Sequence, residues 1–170
     1  MVSEKSEMKV QATYSQDKSH RYLIKRTWDE SKPSALVVML SPSHTANSVA
    51  LDMTSMYATN NCYKLGFGSI NIMNIYSGLD GKLANSPEND EMLVSTCKEA
   101  DAIVLAWGKG CTTKQVGTRV EEVQKLLKPF AKKLKEISDG KDAGFHPLAK
   151  TVRLNWQLVE AKLPAEKAKA

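Results

Sequence analysis

Three short runs constrain what this chain can fold into: Leu36–Leu40, Ser69–Ile75 and Ala102–Ala106. The first and third contain no polar residue, and the second is broken only by Asn71 and Asn74. A half-buried strand alternates apolar and polar residues. Strands apolar throughout are buried on both faces, as in parallel sheets covered by helices above and below. The intervening segments fit the crossovers. Apolar residues recur near helical spacing from about Val49 to Leu65, and Gly66-Phe-Gly68 ends that stretch. Ser86-Pro-Glu-Asn-Asp-Glu91 starts a second helix running to about Glu99, with a capping serine, proline in the first turn and acids at the positive end of the dipole. The expected fold class is therefore α/β, a three-layer αβα sandwich with a central, mainly parallel sheet. The three runs should be adjacent and parallel, with Leu36–Leu40 in the middle and right-handed crossovers.

The remaining segments are less patterned. Residues 1–18 are polar and expected to be a flexible N-terminal segment. His20–Trp28 alternates and suggests an edge strand. Val116, Val120, Val123, Leu127 and Phe130 share one helical face, with Pro129 ending or kinking the helix. Lys132–Gly144 has no clear pattern, Thr151–Leu163 reads as one more strand or helix, and 164–170 as a flexible tail. Residues 19–163 then form a single domain, which suits 170 residues with 42% hydrophobic and 25% charged side chains.

Composition narrows the function. No apolar run approaches the roughly 18 residues of a membrane span, and the first residues lack a signal peptide's apolar core, so a cytoplasmic protein is expected. Cys62, Cys97 and Cys111 form neither a metal-ligand pair nor an obvious disulfide set. No phosphate loop or dinucleotide fingerprint is present, and neither metal nor cofactor is expected. Residues 109–170 carry 14 Lys/Arg against 7 Asp/Glu, whereas residues 1–108 carry 10 against 12. The basic half, with Lys109, Lys114, Lys128, Lys132 and Lys133, can face phosphates, or can simply be a solvated surface.

If the three strands are parallel, their carboxyl ends share one edge, where ligands bind in open α/β sheets. Ser41, Asn74 and Trp107 then converge there, and His146 joins them from a later loop. Each has two readings. Asn74 offers a donor and an acceptor to a planar ligand such as a nucleobase edge, or caps the next loop. His146, before Pro147, manages a proton or a developing anion near neutral pH, or makes a structural hydrogen bond. Trp107 stacks on a ligand or plugs the core. Ser41 or Ser43 with His146 makes a hydrolase-like pair conceivable, but Ser41 precedes proline and lacks the small-residue elbow. Cys111 beside Gly110 is a lone loop thiol, and His44 reads as an exposed loop residue.

The order Arg21-Tyr-Leu, Arg26-Thr-Trp28, Met39-Leu-Ser-Pro-Ser43, Asp52-Met-Thr54, Gly66-Phe-Gly-Ser69, Asn74, Pro87-Glu-Asn-Asp90, Ala106-Trp-Gly108 and His146-Pro-Leu148 resembles a bacterial and phage family catalogued as domain of unknown function 1643. It covers about residues 20–150. The family usually has Asn-Pro-Ser where this chain has Ser41-Pro-Ser43. More remotely, the pattern resembles the uracil-DNA glycosylase superfamily. There an Asp-Pro or Asn-Pro follows the first motif strand, a base-reading asparagine ends the next, a Trp-Gly ends the third, and a final loop begins His-Pro. That resemblance implies N-glycosidic cleavage of a flipped base, with Ser41 and His146 at the catalytic positions. Pro42, Ser43, Asn74, Trp107, Gly108 and Leu148 take the substrate-binding positions, Leu148 as a wedge in the vacated stack. A serine hydroxyl is no base near pH 7, so Ser41 weakens the match at the water-positioning residue. The expectation is a DNA glycosylase-like protein; its rival is a non-catalytic nucleotide or modified-base binder, and a protein-interaction module with a vestigial pocket stands third.

Overall fold

The computed structural model describes residues 1–109 and 113–163. Cys111, Gly110 and the expected tail 164–170 lie outside the described residues.

Seven strands form one sheet: β1 (Lys9–Tyr14), β2 (Arg21–Thr27), β3 (Ser34–Met39), β4 (Ser69–Asn74), β5 (Ala102–Leu105), β6 (Leu134–Ser138) and β7 (Gln157–Glu160), in the spatial order β1-β2-β4-β3-β5-β6-β7. The three apolar runs are neighbours as expected: β3 lies between β4 and β5 and is parallel to both. β6 continues the parallel block beside β5. The margins run the other way, because β1–β2, β2–β4 and β6–β7 are antiparallel. Parallel and antiparallel pairings are equal in number, so the sheet is mixed rather than mainly parallel. The apolar runs report only the doubly covered centre; the half-exposed outer strands are free to enter antiparallel.

Three helices connect the strands: α1 (Met53–Lys64), α2 (Pro87–Glu99) and α3 (Lys114–Leu127), the last followed by a 3₁₀ turn at Lys128–Lys133. Ala58 and Cys62 of α1, with Val152 and Trp156, pack on one face of the sheet against Val37, Ile72 and Val104. Leu93 and Cys97 of α2, with Val116, Val123 and Leu127 of α3, pack on the other against Leu36, Val38 and Ile103. Burial on both faces explains why β3 tolerates no polar residue after Ser34.

Local signals account for the helix ends. Asp52 caps α1 by accepting from the Ser55 amide at 2.7 Å. Gly66, at φ +87°, closes it: the Gly66 amide donates to Tyr63 and the Phe67 amide to Cys62. The helix begins at Met53 rather than Val49, because Asn47 folds 47–50 into a turn by accepting from the Val49 and Ala50 amides. Ser86 occupies the cap position of α2, but its hydroxyl makes no cap bond and donates instead to the Tyr22 hydroxyl.

Two further expectations are corrected, and a third, one more strand or helix within Thr151–Leu163, is met by a strand. Lys9–Tyr14, placed in a flexible segment, forms β1 and covers the outer edge of β2, so β2 is internal. Lys132–Gly144 contains β6, whose Leu134 and Ile137 are buried while Lys135 and Glu136 are half-exposed. Thr151–Leu163 contributes β7. Among the described residues no helix is long and apolar enough to cross a membrane.

Candidate functional site

β3, β4 and β5 end together, and the chain beyond each enters one cleft of about 280 Å³. Ser41, Pro42 and Ser43 follow β3, Asn74 ends β4, Trp107 follows β5, and His146 arrives from the loop after β6. All six were singled out in the sequence. Leu148 does not line the cleft; it is 39% exposed, and its amide donates to His146 Nδ1 at 3.2 Å. Gly108 touches the site indirectly. It sits at φ +83°, and a Cβ there would lie 3.1 Å from the His146 Cβ. Arg21, Asp52, Thr54 and Ser55 also line the cleft; the first three appear in the sequence motifs without obvious chemistry there, and Ser55 was not singled out. A helix-capping Asp-x-x-Ser beside the first strand end was the available signal for Asp52.

Asn74 is buried, and its Nδ2 is enclosed with no hydrogen-bond partner among the described residues. Orphaned buried donors are rare because desolvating one costs about 1–3 kcal/mol. Its backbone, by contrast, is held firmly. Asn89 Nδ2 donates to the Asn74 carbonyl at 3.0 Å and to Asn85 Oδ1 at 2.8 Å. One residue on, Arg119 Nε donates to the Ile75 carbonyl at 2.8 Å while its Nη1 donates to Asp90 Oδ2 at 3.0 Å. A rigid frame thus presents an amide whose own donor is unused.

His146 is fixed in tautomer as well as position. Because Nδ1 accepts the Leu148 amide, the neutral ring carries its proton on Nε2. Burial pushes its pKa below the ordinary 6.5, and the Asp52 charge opposes this in part. The loop around it is anchored at several points. Lys109 pairs with Asp142 at 2.5 Å and lies 5.4 Å from the Phe145 ring centroid. Asn61 of α1 donates to the Arg153 carbonyl at 2.9 Å and accepts the Trp156 amide at 2.9 Å.

Asp52 is the one carboxylate among the described residues lining the cleft. It shares the cleft with the exposed Ser41, whose hydroxyl cannot act as a base. Cys62 and Cys97 offer nothing here: burial pushes both thiols up to about 12, leaving them protonated in the core. His44 is exposed, as expected. No group of three or more His, Cys, Asp or Glu side chains among the described residues is arranged to hold a metal ion.

The basic residues divide. α3 runs from the carboxyl edge back towards the start of β6, so Lys128, Lys132 and Lys133 lie at the far end of the sheet from the cleft. Lys133 Nζ there caps α2, donating to the carbonyls of Cys97, Lys98 and Ala100. Lys109 and Lys114, between β5 and α3, are on the carboxyl side of the sheet, although neither lines the cleft.

The molecule is thus an α/β domain with a preformed polar cleft at the carboxyl edge of its sheet. A family model described as "Protein of unknown function (DUF1643)" matches residues 21–148, and the chain belongs to that family. The match begins at Arg21 and includes every residue lining the cleft. No curated protein and no solved structure matches the chain.

Proposed function

We propose that the cleft receives a single nucleobase and that the chain hydrolyses its N-glycosidic bond in DNA, the chemistry of the uracil-DNA glycosylase superfamily that the motif order resembles. The observation that carries this reading is the unpartnered Asn74 Nδ2, a buried donor waiting for an acceptor on a planar ligand. The cleft volume lies at the small end of ligand sites, suited to one base rather than a dinucleotide. Trp107 at the rim supplies a stacking surface.

The residues that share the cleft support the following roles. The base is held out of the stack with its polar edge on Asn74. As the C–N bond breaks, its electron pair moves onto the base, and neutral His146 donates Nε2–H to the developing anion. Water forms the new bond to the sugar carbon. Asp52 supplies the carboxylate that Ser41 lacks, taking the water's proton and countering positive charge on the sugar. DNA approaches past Lys109 and Lys114 rather than across the whole basic half.

A second reading, base or nucleotide binding without turnover, is favoured by Ser41 itself, a hydroxyl where an amide or carboxylate would hold water. The test is release of free base from oligonucleotides carrying uracil or other altered bases. Base release should fall by about 10²–10⁴ in Asp52→Asn and in His146→Ala. Asparagine caps helices as well as aspartate does, so Asp52→Asn should stay folded. Ser41→Asn should raise the rate. If neither wild type nor Ser41→Asn releases base while nucleotides raise Tm, the binder reading replaces the enzyme.

A further inference from the structure

Strand β2 buries two arginines, Arg21 at 3% exposure and Arg26 at 2%, and among the described residues neither has a carboxylate at ion-pair distance. Both hold the loop after β3. Arg26 donates through Nη1 to the Ser48 carbonyl and through Nη2 to that of Asn47. Arg21 uses a single nitrogen, Nη1, for the carbonyls of Ser43 at 3.1 Å and Ala46 at 2.7 Å. Among the described residues its Nε and Nη2 make no hydrogen bond. They are not sealed either, unlike Arg26 Nε, which is enclosed and unbonded. Arg21 itself lines the cleft.

A local irregularity puts Arg21 there. Thr13 pairs with Leu23 and Tyr14 with Arg21, leaving Tyr22 as an extra residue in β2. Leu23 packs on the α2 and α3 side and Ile24 on the α1 side. Strict alternation would send Arg21 to the side of Leu23. The bulge instead turns Tyr22 towards Ser86 of the α2 cap and returns Arg21 to the side of Ser43 and Ala46. A cation is thereby buried with two donors unbonded beside the base pocket, its desolvation answered only at longer range, in part by the Asp52 charge of the same cleft.

We propose that Arg21 is an oxyanion subsite that takes a phosphate ester of the nucleoside whose base occupies the cleft. The inference rests on the base-binding reading and adds the phosphate. That ester is either the terminal phosphate of a free mononucleotide or a phosphodiester within a strand. Two guanidinium donors match two phosphate oxygens, which a lysine cannot reproduce.

The intact chain is titrated, with tryptophan fluorescence or calorimetry as readout. The probes are each common deoxynucleoside including deoxyuridine, the matching monophosphates, a uracil-containing trinucleotide and deoxyribose phosphate. Phosphate-bearing ligands should bind roughly 10- to 100-fold tighter than their nucleosides. Whether monophosphate or trinucleotide gains more identifies the source of the phosphate. Arg21→Gln should remove most of that advantage. Because Arg21 also holds the loop, Arg21→Lys is measured beside it, keeping the charge on a single donor nitrogen; there the phosphate advantage, taken relative to the nucleoside affinity of the same variant, should shrink several-fold. Equal affinity for nucleoside and nucleotide overturns the subsite and leaves base binding standing. Equal affinity for nucleotide and deoxyribose phosphate overturns base binding and leaves the subsite standing. No binding of any probe overturns both.

Discussion

The two edges of this sheet use the same kinds of side chain to opposite ends. At the amino edge a broader hollow of about 570 Å³ is lined by Lys9, Lys25, Glu30, Lys32, Ser34 and Asp101 among others. Its polar groups answer one another. Asp101 Oδ2 accepts from the Ser34 amide at 2.8 Å and its hydroxyl at 3.1 Å, clasping the starts of β3 and β5. Lys9 pairs with Glu30 at 2.8 Å and Lys32 with Asp29 at 3.1 Å. At the carboxyl edge a smaller cleft holds an orphaned amide, a guanidinium with two free donors, a neutral imidazole and a carboxylate. Size does not separate a site from a surface hollow here; unmatched hydrogen-bonding capacity does. Satisfied polar groups stabilise the fold, and unsatisfied ones cost stability that a ligand returns.

Two buried asparagines put that contrast to its severest test. Asn61 is fully matched, donating to the Tyr57 and Arg153 carbonyls and accepting the Trp156 amide. Asn61→Ala should lose about 2–4 kcal/mol in denaturant unfolding, because it orphans buried backbone groups and frees the segment below His146. Asn74→Ala removes an unmet donor, so its stability should stay within about 1 kcal/mol of wild type while ligand binding is lost. Equal losses of stability would mean that Asn74 is structural after all. Gly108→Ala comes next in size. Its left-handed φ and the 3.1 Å approach to the His146 Cβ should together cost about 1–2 kcal/mol. It should also lower nucleobase affinity, because the added methyl displaces His146. Gly66, equally left-handed but with nothing within 4 Å of its Cβ, should show only the backbone part when changed to alanine.

The sequence made the centre of the fold legible because burial on both faces leaves an unmistakable apolar run. Once β3, β4 and β5 are parallel neighbours, the meeting of Ser41, Asn74 and Trp107 follows from connectivity alone. His146 followed because its loop leaves the same edge. What stayed hidden was held by geometry without a compositional mark. The bulge at Tyr22 has no glycine to announce it, so Arg21 looked like one more charge in an alternating strand. β1 and β6 present polar residues to solvent at the margins, where polarity and loop are easily confused. Asp52 was readable as a helix cap, but that the cap faces the end of β3 is a tertiary fact. The lysines misled in the opposite direction: their count suggested one basic surface, whereas the crossover through α3 carries several of them to the far edge.

The smallest effect concerns the protonation of His146, and it tests whether burial dominates at this group of the cleft. Burial lowers the folded pKa of His146 below the ordinary 6.5. In the unfolded chain the ring takes up a proton as pH falls through 6.5, while the folded ring still resists. The unfolded state then binds more protons, so stability declines as pH drops from about 7 through 6.5 to the folded value. Above that window His146 contributes no slope, and below it the slope vanishes again. The slope should stay well under the roughly 1.4 kcal/mol per pH unit of one full proton difference. His146→Gln should abolish this component, whereas carboxylates such as Glu30 and Asp142, held below their ordinary range by lysine partners, act only at more acid pH. Asp52 opposes the shift by attracting the imidazolium, so Asp52→Asn should lower the His146 pKa further and widen the window. Following the His146 ring proton by NMR against pH in both proteins checks the sign directly. A wild-type value at or above 6.5 would mean that burial does not dominate at His146 and would remove this pH dependence.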